Sequence, residues 1–484
     1  MSTGGLARSP IASPRLRSRF IVPAEATRRR RRRARARRSR IPVYHGRFGV
    51  EQAERLLWRA GFGPRPGEAK RLARKGLDDA VRSLTRPGSE RLSGPSPRDD
   101  DGRPLAPEDA YGHAQLWWLD RMVRTRRPLV ERMALVWHDW FATSNEGVGS
   151  ARLMIRQNKL FRRLALRSFE DLLREVTRDP AMLIWLSGSG STKEAPNENY
   201  ARELMELFTL GAARGYSERD VREQARALTG FEHEWDDNLG PVSFHFEHDN
   251  HDSGVKRVFG ERGRFDWRDT CRLCLTNSNH PSFFVTKLWS YFIPTPPSKR
   301  TRSALERLYV AGDYEVRPLV EAILRHPAFY EGPRMVKPPI VHIAGMLRAL
   351  GRGVDTEAWV WLSDGAGQQL FYPPDVAGWD DNLWLDTSTW RGRWIATVFA
   401  LQDELLQPGK APLLPEESAS AAVDRALSFW GDPTISRSTR TALVAFAERC
   451  RTGADRPWKK DAYPLLCQNA LRMMIATSPD LQAA

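Results

Sequence analysis

Apolar positions recur at helical spacing along most of the chain. In Glu131–Phe141, Met133, Val136, Trp137 and Trp140 share one face. The same periodicity predicts helices over 50–58, 72–84, 108–123, 152–164, 169–176 and 181–186. A helix over 196–210 is closed by Gly211, and Ser217-Glu-Arg-Asp220 reads as a capping box for a helix running to Leu228. Further helices are expected over 266–275, 282–292, 303–310, 317–324 and 340–350, with more helical segments towards the C-terminus. One stretch alternates with period two: Val242, Phe244 and Phe246 against Ser243, His245 and Glu247. Val255–Phe259 is its expected return strand. The pattern predicts a mainly α protein, a single large multi-helical globular domain with one small β-hairpin. It argues against an alternating parallel sheet.

Polar stretches set the boundaries. Residues 1–44 are Arg, Ser and Pro with little apolar content, too little to offset ordering entropy, so they read as a disordered basic tail before a domain over 45–484. Residues 86–107, rich in Pro, Gly, Ser and Asp, read as a long loop. No apolar run approaches the ~18 residues of a spanning helix. An apolar segment of roughly 7–15 residues does not follow the basic stretch either, so the sequence points to the cytoplasm.

Charge changes the picture only once it is located. The net charge is +16, but fourteen arginines and one acid lie in residues 1–41, leaving +3 for the remainder. The basic balance therefore describes the tail, which reads either as a solvated, self-repelling segment or as an anchor for nucleic acid or an anionic surface. Of the four cysteines, Cys271 and Cys274 form a CxxC in a helical stretch with no second pair, and read as structural thiols.

Four segments could carry chemistry. In Asn197–Gly211, a wheel at 100° per residue puts Asn199, Glu203, Glu206 and Leu210 in one stripe with Arg202 beside it. Two carboxylates one turn apart could hold a divalent cation, or one could act as a base while Arg202 holds an anion. The plainer alternative is a cap at Asn197 and ordinary interhelical ion pairs. In His248–Lys256, imidazoles and carboxylates could ligate a metal, with His245 adding a third histidine, or form a solvated turn. His138 is a core histidine or a general base, depending on whether it faces the acidic helix. Phe371–Trp379, with Trp384 and Trp390, is a stacking loop or a packed Pro-Trp corner. No GxSxG, Walker loop or GxGxxG is present, and Asp237 stands where His233-Glu would need a second His for HExxH.

Several segments together resemble the bacterial family catalogued as domain of unknown function 1800. They are WHDWFATS (137–144), NENYARELMELFTLG (197–211), ARALTGF (225–231), HDSGVKRVFG (251–260), HPSFFVTKLWSYF (280–292), KPPIVHIAGMLRALG (337–351), PPDVAGWDDNLW (373–384) and ALRMMIATSPD (470–480). The likeness runs in order from about residue 46 to the end. His138, Asn199, Arg202, Glu203, Glu206, His251, Asp252, Lys256, Trp379 and Arg393 match its pattern. His245 and His248 fall outside it, and Asp375 and Asp380-Asp381 depart from it. The resemblance implies export for many members and neighbouring genes for phosphatase- or sulfatase-like proteins. It implies no reaction.

These readings yield two expectations. One is an enzyme-like protein in which His138, Glu203, Glu206, His251 and Asp252 converge. A divalent metal would sit on Glu203, Glu206, His251 or Asp252, and Asn199, Arg202, Lys256, Trp379 and Arg393 would hold an anionic substrate. The other is a non-catalytic binding or scaffold module that works through its Pro-Trp loop.

Overall fold

The computed structural model describes residues 41–484 apart from positions 95, 413 and 415. The expected disordered tail lies outside the described residues up to position 40. From Ile41 onward the chain forms one compact unit. Residues 41–44 already dock on it: the Tyr44 N–H donates to the Arg325 carbonyl at 2.7 Å, and the ring packs on Tyr330.

Helix dominates, as the apolar periodicity predicts. Boundaries move where turn chemistry intervenes. The helix expected over 72–84 is two, Glu68–Ala73 and Gly76–Thr85, broken where Gly76 takes φ +74°. The helix expected from 108 starts at His113, after Gly112 at φ +81°.

The β structure is two hairpins rather than one. β1 (Phe231–Asp236) pairs antiparallel with β2 (Gly240–Phe246), and β3 (Lys256–Val258) with β4 (Glu261–Gly263). The expected 242–259 pairing therefore does not form. β1 escapes the pattern because Glu-His-Glu-Trp-Asp carries almost no apolar alternation. A bulge interrupts the β1–β2 register between Glu232 and Glu234, where Ser243 takes φ +52°.

Two large apolar clusters and a small third one, Ala227, Val258, Phe265 and Leu273, make the core among the described residues. The two large ones draw on the helix Pro128–Trp140, which gives Val136, Trp137 and Trp140 to one and Leu135 to the other. It is buried on nearly all sides, so most of its polar residues are withdrawn from water. Cys271 and Cys274 are buried free thiols, with burial pushing them up to about 12 and about 11. None of the described helices is long and apolar enough to cross a membrane.

Candidate functional site

The buried helix Pro128–Trp140 places two adjacent polar residues in opposite environments. His138 lies in a box of rings: Trp118 at 5.2 Å, Trp379 at 5.5 Å, Phe371 at 5.7 Å and Phe161 at 6.3 Å between centroids. Its Nε2 is buried without a partner among the described residues, and burial lowers its pKa to about 3, so the ring is neutral. Phe371, in the wall of the box, holds φ +66°, a strained value for a bulky residue.

Asp139 faces the other way, into a crevice of about 170 Å³. Its Oδ2 accepts from the Tyr291 hydroxyl at 2.6 Å and its Oδ1 from the Trp379 N–H at 3.0 Å. Gly378 makes that second bond possible. At φ +96°, a Cβ there would stand 2.5 Å from Asp139 Oδ1. Burial raises the Asp139 pKa, the Tyr291 and Trp379 hydrogen bonds and Lys287 oppose the rise, and Asp381 adds to it.

Lys287 comes from the helix His280–Ser290. Its Nζ lies 4.6 Å from the Trp140 ring centroid and donates to the Leu207 carbonyl at 3.1 Å. That carbonyl belongs to the C-terminal turn of a π-helix, Leu204–Leu210, whose last C=O groups lack partners within the helix. The Phe208 carbonyl next to it accepts from Trp140 Nε1 at 3.1 Å. Burial pushes the Lys287 ammonium down to about 8, with Asp139 opposing the shift.

Arg132 sits two helical turns before Asp139, on the same face. It is 3% exposed, and its Nε and Nη1 have no hydrogen-bond partner among the described residues. Burial lowers its pKa to about 10, so the guanidinium stays charged at neutral pH. The buried Nε1 of Trp384 is also unpartnered and borders the crevice. Two withdrawn cations thus face one withdrawn carboxylate, with exposed Asp381 at the rim. A space of this size admits an anionic group or a few waters.

The remaining residues singled out by sequence take other places. The π-helix breaks the 100° wheel after Glu203: Glu203, Glu206 and Leu207 are partly exposed, whereas Leu210 is fully buried. Leu210 therefore does not share the acidic stripe. Burial first, then Glu206, raises the Glu203 pKa, and Glu206 accepts from the Tyr216 hydroxyl at 3.1 Å. Arg202 is occupied by Glu218 at 2.8 Å and Glu198 at 3.2 Å, and Asn199 is exposed.

His251, Asp252 and Lys256 do come together, in a loop laced to the helix Glu218–Ala227. The His251 ring donates from Nδ1 to the Thr229 carbonyl at 2.9 Å. The Asp252 carboxylate accepts from Arg226 at 2.7 Å and from the Gly254 N–H at 2.8 Å. Lys256 Nζ donates to the carbonyls of Asp252 and Gly254. Burial acts to raise the Asp252 pKa, but Arg226 and the Gly254 N–H outweigh it, and the net shift is downward. Glu218 and Arg226, which hold Arg202 and Asp252 respectively, are eight residues apart on one helix, or about 12 Å along its axis. The four metal candidates thus divide between two places.

Arg393 is 1% exposed and turned inward, donating to the carbonyls of Trp384 (3.0 Å) and Lys337 (2.8 Å) and to Gln482 Oε1 (3.2 Å). It pins the Trp384 loop that borders the crevice.

Among the described residues, Asp99, His113 and Glu357 form a trio with metal-ligand spacing. His113 Nδ1 accepts the Ala106 N–H at 2.9 Å, so neutral His113 carries its proton on Nε2, which faces Glu357 at 3.3 Å. A metal there would have to displace that proton, so the trio reads as a tie for the 92–107 loop.

The Asp139 crevice draws on four of the quoted segments at once. WHDWFATS supplies Asp139 and HPSFFVTKLWSYF supplies Lys287 and Tyr291. KPPIVHIAGMLRALG supplies Pro338, and PPDVAGWDDNLW supplies Trp379, Asp381 and Trp384. In comparisons with known proteins, a family model described as Protein of unknown function (DUF1800) matches residues 55–483. No curated protein and no solved structure matches the chain.

Proposed function

The chain belongs to the DUF1800 family, and from that premise we propose that it acts through the Asp139 crevice. There it binds a small anionic group, such as a carboxylate, phosphate or sulfate ester, and transfers a proton beside it. Arg132 supplies the fixed positive charge. Lys287, with a pKa of about 8, is the group that exchanges a proton near neutral pH. Asp139 and Tyr291 share a short hydrogen bond that holds the second proton of the site. Trp379 walls the crevice, and His138 packs against the Trp379 ring from the other side of the helix. Glu203, Glu206, Asn199 and Arg202 belong to the helix behind Lys287. His251, Asp252 and Lys256 brace the frame, and Arg393 holds the loop.

The observation that carries this reading is the buried Arg132 guanidinium, whose Nε and Nη1 lack a partner among the described residues, beside a withdrawn lysine and carboxylate. Leaving such donors unmet costs about 1–3 kcal/mol, a cost an anion would relieve. Trinitrobenzenesulfonate, an amine reagent that is itself an anion, tests it directly. Lys287 should label faster than exposed lysines, with a rate midpoint near pH 8, phosphate should protect it, and Arg132→Met should slow it. Labelling of Lys287 no faster than bulk and unaffected by Arg132→Met would sink the reading.

A second reading, a binding module, is favoured by one observation. Trp394, Ile395 and Val398 on the helix Thr387–Leu401, with Leu383 and Leu385 just before it, are exposed apolar side chains. A phosphatase- or sulfatase-like protein, the kind of gene neighbour the family resemblance implies, is the partner to test, by co-purification with wild type and Trp394→Asp.

A further inference from the structure

The folded part is nearly neutral overall, yet its cations are not evenly spread. A second groove, of about 570 Å³, runs between the helix Ala151–Leu164, the segment Glu175–Leu183 and the β1–β2 hairpin. Arg156, Lys159 and Arg163 follow one another along its wall at i, i+3 and i+7, on one helix face and over about 10 Å of axis. All three are exposed, and Arg156 and Lys159 make no hydrogen bond or ion pair with a described residue. Arg178 and Arg268 face them from other segments.

Among the described residues, only two carboxylates line the groove, and both are engaged. Glu175 pairs with Arg163 at 3.5 Å and with Arg178. Asp179 accepts from Gln157 at 2.8 Å and caps the next helix through the Met182 N–H at 3.3 Å. The opposite wall is aromatic. Phe244 and Phe246 of β2 are half-buried, and His233 backs Phe244 at 5.1 Å with planes 16° apart. The bulge opposite Ser243 sits in this stretch of the hairpin.

We propose that this groove binds single-stranded nucleic acid, with successive phosphates on the Arg156–Lys159–Arg163 stripe and bases against Phe244 and Phe246. A stripe of cations about 10 Å long needs more than one anionic centre. The aromatic wall needs a flat apolar face beside them. A nucleotide chain offers both in alternation. A sulfated polysaccharide offers the charges without the flat ring, and a free nucleotide offers one phosphate cluster. The assignment is independent of the Asp139 crevice.

The test uses the full chain and a fluorescein-labelled thymidine strand of about ten nucleotides, read by anisotropy across a salt series. Because the tail carries its own charge, wild type is compared with three variants: Arg156→Glu/Lys159→Glu, Phe244→Ala, and a tail variant with Arg28 to Arg33 changed to Gln. The groove positions are exposed, and circular dichroism checks that each variant is folded. The groove variant should lose at least about tenfold in affinity, and its slope of log K against log salt should fall by about 1.4, two contacts at ~0.7 each. Phe244→Ala should weaken the strand by about fivefold or more while leaving heparin unchanged. Uridine monophosphate should compete poorly. Unchanged binding in the groove variant, with binding lost in the tail variant, overturns the proposal. So does heparin binding at the groove with no strand binding, or uridine monophosphate competing as well as the strand.

Discussion

Replacing Lys287 by methionine separates the cost of its buried charge from the rest of the fold. The folded pKa is about 8, against ~10.4 in an unfolded chain. Between those values the unfolded state holds a proton that the native state has released, so native stability must rise with pH across the window. The window opens as pH passes 8 and closes near 10.4. With these two pKa values, the wild type should gain at most about 2.5 kcal/mol relative to Lys287→Met between pH 7 and pH 10, at 1.36 kcal/mol per unit. Residual solvent access reduces the figure. Other groups titrate in the same range, so the quantity to measure is the difference between the two proteins. Urea denaturation at half-unit pH steps gives it, with m-values compared to check that the denatured states match. A difference that stays flat within about 0.5 kcal/mol would show that Lys287 titrates like a surface lysine.

Other outcomes follow from the same geometry. Gly378→Ala should destabilise by about 1–3 kcal/mol in denaturant, because the new Cβ meets Asp139 and the backbone sits at φ +96°; a neutral result would mean the loop moves freely. Asp252→Asn should cost about 1–3 kcal/mol at neutral pH. Because the folded pKa of Asp252 lies below its ordinary value, that gap should close as pH falls below about 4 and both states protonate. Cys271 and Cys274 should resist Ellman's reagent in the native protein and react only on unfolding, since both thiols are buried and pushed far above neutral.

The helices were legible because their apolar faces repeat at 3.6 residues, and the structural reading of the CxxC followed from its helical context. The resemblance drawn from eight short segments agrees with the family match over residues 55–483. The candidate site was legible only in part. His138 and Trp379 do meet, but the chemistry beside them turns on Asp139, Arg132, Lys287 and Tyr291. Charged residues are ordinarily read as surface, and no periodicity marks a lysine that is withdrawn from water. A faint signal existed: Lys287 interrupts the apolar run Phe283–Phe292, and Arg132 begins another. The acidic stripe of Asn197–Gly211 was misplaced at Leu210 because a wheel at 100° per residue cannot anticipate a π-helix. The hairpin partner of β2 was missed because β1 is held by backbone pairing rather than by an apolar face. Its polar strand borders a groove whose charge the whole-chain balance conceals.

The most direct test of the central proposal is calorimetric titration of the wild type and Arg132→Met with phosphate, sulfate and acetate at pH 8.5, where most of Lys287 has released its proton. The account predicts one-to-one binding of at least one of these anions, weakened about tenfold or more in Arg132→Met, in line with the loss of a charge-assisted contact. It also predicts an enthalpy that varies with buffer because Lys287 takes up a proton. Equal affinities in the two proteins, with no buffer dependence, would contradict it.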